Sequence, residues 1–325
     1  MPRLFRHLLL PLALLMTAAS GATVDYPYPV QRFHSVVQGE AIDVAYMDVA
    51  PERPNGRTVL LLHGKNFCSA AWGDTARALA AGGYRVIVPD QLGACRSSKP
   101  AAFQYSFHAI AGIDLKLADS LGIGRLTVVG HSMGGMLATR LALLHPERVE
   151  QLVLVNPLGL ADGMAQGIPY ADIDTLRAEE ARTTAATIKG YQLDNYYHGQ
   201  WRPDYDRWVA MQAATYAGAD RAAVIAAQAR ASEMIETQPV AYEFGRLRVP
   251  TTLMIGMRDR TAFGRQRAPR EIRDAIPAVP ALAGQVVRAI PGAQLVAFDD
   301  LGHAPQIEAP QRFQAALLKL LARQP

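Results

Sequence analysis

Residues 125–135 read RLTVVGHSMGG, and this stretch decides the fold class. Leu126, Val128 and Val129 form a short aliphatic, β-branched run suited to a buried strand. The run ends at Gly130-His131-Ser132-Met133-Gly134, and Met136, Leu137, Leu141 and Leu144 then recur at helical spacing. A serine between two glycines at a strand-to-helix junction can serve as a nucleophile elbow. The turn is tight enough to force the serine into a strained backbone angle, and a Cβ two residues to either side would strike the neighbouring chain. The hydroxyl is then held clear of the backbone, at the positive end of a helix.

On these residues the chain resembles the α/β-hydrolase superfamily, in its serine-nucleophile, esterase-like branch with a helical cap. The resemblance implies a mostly parallel sheet flanked by helices, an oxyanion loop upstream, and an acid and then a histidine downstream, each just past a strand end. Gln294 to Phe298 reads as a strand and Pro310 to Leu321 as a helix; between them lies Gly302-His303. An imidazole there would accept the serine proton and return it to a leaving group. Of the other histidines, His7 lies in a leader and His34 in an N-terminal strand. His108, His145 and His198 sit on or beside helical segments, and His63 and His131 belong to the other active-site loops. Thr251 to Gly256 is an apolar strand followed by Met257-Arg258-Asp259, so Asp259 is the expected acid that orients His303. Asp299 and Asp300 stand too near His303 in sequence to approach its ring from the far side and read as turn residues. Asp90 matches a different family motif that supports loop geometry.

The oxyanion loop is Leu60-Leu61-Leu62-His63-Gly64-Lys65-Asn66-Phe67-Cys68. One donor to a tetrahedral intermediate should be the Met133 amide and the other that of Lys65. Many relatives carry proline where this chain has Asn66, which leaves the Asn66 amide as an alternative. The Lys65 ammonium is not required, though it would add favourable field if it points inward.

Formal net charge is +4; without Arg3 and Arg6 the balance is 31 basic against 29 acidic residues, with no basic stripe, so nucleic acid is not an expected partner. Residues 1–22 have the charged, apolar, small-residue order of a secretory signal peptide, with an apolar run from Leu8 to Met16 too short to span a bilayer. Cleavage after Gly21 or Ala22 would release a periplasmic or secreted protein with no stable membrane anchor. In an oxidising compartment Cys68 and Cys95 could form a disulfide. They follow strands that the resemblance sets one apart, with both loops leaving the same edge of the sheet.

The expected organisation is a core over 23–156, a helical cap over 157–245 and a second core segment over 246–325. Val30 to Val37 and Ile42 to Val49 read as an entry hairpin; Ala70 to Ala81 and Phe107 to Leu121 read as helices and Val149 to Val155 as a strand. The cap segment is polar, helical and rich in aromatics (Tyr170, Tyr191, Tyr196, Tyr197, Trp201, Tyr205, Trp208, Tyr216), most of them expected to pack the cap itself. After Asp259 a long excursion, Arg260 to Arg273 and Ile276 to Ala283, suggests a second rim element. No metal-ligand spacing occurs, and neither cofactor nor metal is expected.

Serine at position 132 excludes the haloalkane dehalogenase and epoxide hydrolase chemistries, which need a carboxylate nucleophile. The expectation is an acyl-enzyme hydrolase of a small-molecule ester or related acyl compound, a carboxylesterase of the EC 3.1.1 type. A proline iminopeptidase-like aminopeptidase, a carbon–carbon bond hydrolase and a non-enzymatic ligand-binding protein of the same fold are the alternatives.

Overall fold

The computed structural model describes residues 24–323, so the leader segment lies outside the described residues. Eight strands form one sheet: β1 (Val30–Val37), β2 (Glu40–Val49), β3 (Thr58–Leu62), β4 (Arg85–Pro89), β5 (Leu126–His131), β6 (Val149–Val155), β7 (Thr251–Gly256) and β8 (Gln294–Phe298). Their spatial order is β1-β2-β4-β3-β5-β6-β7-β8. β1 and β2 form an antiparallel hairpin, β2 pairs antiparallel with β4, and every later pairing is parallel. Gln38 and Gly39 both take positive φ (57° and 79°), the two-residue turn whose twist matches the strands it joins.

The central strands are apolar throughout because helices cover both faces of the sheet. Leu60, Leu62, Val128, Leu152 and Leu154 enter one core, against the helices Phe107–Ser120, Met133–Leu144 and Val279–Ala289. Their alternates Val59, Leu61, Val129, Val153 and Val155 enter the other, against Gly73–Ala81 and Pro310–Leu321. The period of two along each strand therefore divides one sheet between two cores. The helix expected over Ala70 to Ala81 begins as a 3₁₀ turn, Ser69–Trp72, before α-helix Gly73–Ala81.

β3 and β4 are direct neighbours, not one apart as the resemblance had suggested. The loops that leave their C-terminal ends are therefore side by side, and Cys68 and Cys95 are bridged, with Cα atoms 5.8 Å apart. Asp90 holds the same pair of loops together: its carboxylate accepts from the Ser69 and Arg96 amides and the Tyr26 hydroxyl.

Between β6 and β7 the chain forms helices Ile173–Ala181, Ala185–Tyr191, Asp206–Thr215 and Arg221–Thr237 and no strand. Asp172 and Thr184 cap two of these, accepting from Thr175 N and Thr187 N. Most of the cap aromatics pack against one another and the core. Tyr197 stacks on Tyr205, and both join Trp208, Phe67, Ala304 and Ile307 in one cluster.

Candidate active site

Ser132 joins β5 to helix Met133–Leu144 with φ 56° and ψ −121°, a conformation that L residues rarely adopt. Tertiary packing over-determines it. The Ser132 amide donates to Val155 O, and its carbonyl accepts from Gly135 N and Leu158 N. A Cβ on Gly130 would stand 2.2 Å from Gly134 O, and one on Gly134 would stand 2.4 Å from Leu62 O. Only glycine lets the turn close onto β3. Met133 opens the helix, so its amide is one of the orphan donors of a first turn.

The loop after β3 reaches the same point. A Cβ on Gly64 would lie 2.9 Å from Ser132 Cβ, so the turn His63-Gly64-Lys65-Asn66 is pressed against the serine. His63 fixes that turn, with Nδ1 donating to Gly64 O at 2.9 Å while Nε2 accepts from Gln91 N at 2.9 Å. Burial pushes its imidazole pKa down, consistent with one neutral tautomer serving both bonds.

β7 and β8 carry the remaining two groups. Asp259 Oδ2 lies 2.7 Å from His303 Nδ1, and both side chains are fully buried. The second ring nitrogen, Nε2, is buried and has no hydrogen-bond partner among the described residues, Ser132 included. The His303 carbonyl accepts from His131 Nε2 at 2.9 Å, which ties the histidine loop to the residue preceding the serine. His131 is held neutral, first by burial and then by the proximity of His303. Tyr196 covers the His303 ring in a stack with centroids 4.3 Å apart, and its carbonyl accepts from the His303 amide. Asp300, by contrast, is exposed and bound by Arg312.

Three residues not singled out from the sequence support this pair. Asn156, fully buried with φ 38°, donates to Asp259 Oδ2 at 2.9 Å and accepts from Gly256 N at 2.9 Å. Thr261 N supplies another donor to the carboxylate, at 2.7 Å to Oδ1. Glu308 accepts from the amides on both sides of the histidine, Gly302 N at 2.9 Å and Ala304 N at 3.3 Å. Burial, resisted by those amides, pushes its carboxyl up to about 7. The only local sequence hints were an asparagine just past β6 and a glutamate one turn beyond the histidine.

Ser132 opens onto a cavity of roughly 390 Å³ whose walls include Lys65, Asn66, Tyr191, Tyr196, Phe263 and Arg267. Of the cap aromatics, Tyr191 and Tyr196 line it, and the excursion after Asp259 contributes Thr261, Phe263, Gly264, Gln266 and Arg267. Lys65 and Glu180 both line the cavity, and their side chains meet at 2.5 Å. Asn66 donates to the Tyr196 hydroxyl and accepts from Gln212.

A strained serine at a strand-to-helix elbow, on a parallel sheet with an Asp–His pair past later strand ends, has the family's arrangement, and residues 57–310 match the alpha/beta hydrolase fold family. The chain belongs to that family. Over 92% of its length it superposes on 99% of a crystallised "probable hydrolytic enzyme" from Pseudomonas aeruginosa PAO1, at 50% identity and a TM-score of 0.90. It is 32% identical over 137 residues to 2-hydroxy-6-oxo-6-phenylhexa-2,4-dienoate hydrolase of Burkholderia cepacia, a match covering 41% of this chain and 48% of that one. It is 34% identical over 133 residues to 2-hydroxymuconate semialdehyde hydrolase of Pseudomonas putida, covering 41% and 47%. The chain thus spans about half the length of these curated relatives. The enol-lactonase of Burkholderia xenovorans LB400 shares the fold, with a TM-score of 0.68 at 21% identity over 90% of this chain and 100% of that one.

Proposed function

We propose that the protein hydrolyses a carboxylic ester or related acyl compound through an acyl-enzyme on Ser132. The observation that carries this reading is the His303 Nδ1–Asp259 Oδ2 contact, which fixes the imidazole and leaves its buried Nε2 free to act as a base. In this mechanism Ser132 Oγ attacks the carbonyl carbon as Nε2 takes its proton. Asp259 stabilises the resulting imidazolium, and the amides of Met133 and of Lys65 or Asn66 donate to the oxyanion. Collapse expels the alcohol with the proton from Nε2. Water, deprotonated by the same nitrogen, then releases the acid. Neutral His63 and His131, each occupied by backbone bonds, are left out of this proton relay.

The decisive experiment is labelling by a fluorophosphonate with turnover of short p-nitrophenyl esters. Both should occur, and both should disappear in Ser132→Ala. Absence of both in the parent protein would favour a ligand-binding role. Preference for amino-acid anilides with a free amine would instead indicate an aminopeptidase.

A second reading, carbon–carbon cleavage of an oxygenated dienoate by the same residues, is favoured by the names of the two curated relatives. Turnover of such a compound, with none of the esters, would select it. We also propose export to the periplasm or beyond, supported by the charged and apolar order of residues 1–22 and by the Cys68–Cys95 bridge. Recovery of the protein in the cytosol with its leader intact would refute this.

A further inference from the structure

The cavity beside Ser132 contains an ion pair whose hydrogen-bonding capacity is lopsided. Lys65 and Glu180 are about nine-tenths buried, with Nζ 2.5 Å from Oε1. Ser232 Oγ also donates to Oε1, and Tyr216 Oη donates to Oε2 at 2.6 Å. Burial opposes ionisation of Glu180, but the nearby Lys65 charge and these donors outweigh it and hold the carboxyl below its ordinary range. The carboxylate is therefore well supplied with donors. The ammonium is not: it carries three N–H donors, and Glu180 is its one partner among the described residues.

Arg267, also in the cavity wall, is bound through its two terminal nitrogens by Glu179 and Glu236, while its buried Nε has no partner among the described residues. Asn66, the remaining polar group on the oxyanion loop, already both donates and accepts. Among the described residues the Lys65 ammonium thus brings spare N–H capacity to the wall of the serine's cavity. A ligand atom meeting that ammonium must be an acceptor.

We infer that Lys65 is a specificity residue, and that the substrate is an ester or lactone whose acyl part carries a further acceptor oxygen close to the scissile carbonyl. The acyl part is chosen because it stays on Ser132 through both half-reactions, beside the loop that bears Lys65. Glu180 presents the ammonium and, by neutralising it, favours an ether, keto or hydroxyl oxygen over a second carboxylate. The assignment rests on Ser132 forming an acyl-enzyme.

The test uses two p-nitrophenyl esters of equal length, butanoate and methoxyacetate, which differ by one methylene exchanged for oxygen. Each kcat/KM is divided by the ester's rate with hydroxide to remove intrinsic reactivity. The parent protein should favour methoxyacetate by about tenfold or more, the worth of a hydrogen bond to a charged group. Lys65→Met should bring the ratio close to one. Because that change strands a buried carboxylate, the paired variant Lys65→Met/Glu180→Gln is measured beside it, and Lys65→Arg should keep a preference. The ratio, not the absolute rate, is the readout, since a lysine that only braced the loop would slow both esters alike. A parent ratio near one, or a preference surviving in the paired variant, overturns the inference while the acyl-enzyme reading stands. If the parent hydrolyses neither ester, the acyl-enzyme reading falls and this assignment with it.

Discussion

Glu308 couples the stability of the histidine loop to pH, and replacing it with glutamine should remove a definite part of that dependence. Its carboxyl is raised from the ordinary 4.5 to about 7, mainly by burial, with the Gly302 and Ala304 amides opposing the shift and the Asp259 charge adding to it. A folded value above the unfolded one means that Glu308 contributes most below about pH 4.5, where both states are protonated. That contribution is lost as pH rises to about 7 and stays lost above it. At about 1.4 kcal/mol per tenfold change in proton affinity, the loss comes to about 3 kcal/mol. His198 Nε2 lies 3.9 Å from Oε2, and the Asp259 charge acts on the same carboxyl. The comparison must therefore be a double difference. Urea unfolding of parent and Glu308→Gln proteins is measured at pH 5 and pH 8. The stability advantage of the parent over the variant should shrink by about 2–3 kcal/mol across that interval. A difference independent of pH, within 0.5 kcal/mol, would mean that Glu308 ionises normally and that its burial among backbone donors is not costly.

Asn156→Ala should lower kcat by about 10–100-fold with little change in KM, because it removes a hydrogen bond to the buried Asp259 carboxylate worth about 1.5–3 kcal/mol and Asn156 does not line the cavity; steady-state kinetics on a short ester measures the split. The Cys68–Cys95 bridge closes a loop with a sequence separation of 27, which loop entropy values at about 3–4 kcal/mol. A Cys68→Ser/Cys95→Ser protein should be less stable by that order in urea and, unlike the parent, indifferent to dithiothreitol. Gly134→Ala should destabilise by about 2 kcal/mol or more, since its Cβ would stand 2.4 Å from Leu62 O. Gly112→Ala, in open space within helix Phe107–Ser120, should stabilise by about 0.5–1 kcal/mol, and thermal unfolding of the two variants should shift in opposite directions.

Local chemistry carried much of what could be read before the chain was folded. Short apolar runs marked the central strands and a spacing of 3.6 the helices, because a central strand buries both faces and a helix one stripe. Gly130 and Gly134 marked the elbow, because a Cβ at either would meet backbone. Asp259 and His303 were recognisable from their places just past apolar strands. Side chains that act across the fold left no such mark. Asn156 is 103 residues from the aspartate it holds, and Glu180 is 115 residues from Lys65. Neither contact follows from a local pattern, since an asparagine after a strand or a glutamate in a polar helix is ordinarily solvated.

By itself the sequence determined the fold class and the elbow and pointed to Ser132, Asp259 and His303, each read from the residues beside it along the chain. Tertiary structure decided which strands are neighbours, and thereby that Cys68 and Cys95 stand 5.8 Å apart. It also decided that Lys65 meets Glu180 beside the cavity, and that the histidine loop hangs on a buried glutamate. The division is physical: periodicity and steric exclusion are local, whereas desolvation and hydrogen-bond satisfaction exist only after distant segments have closed around a group.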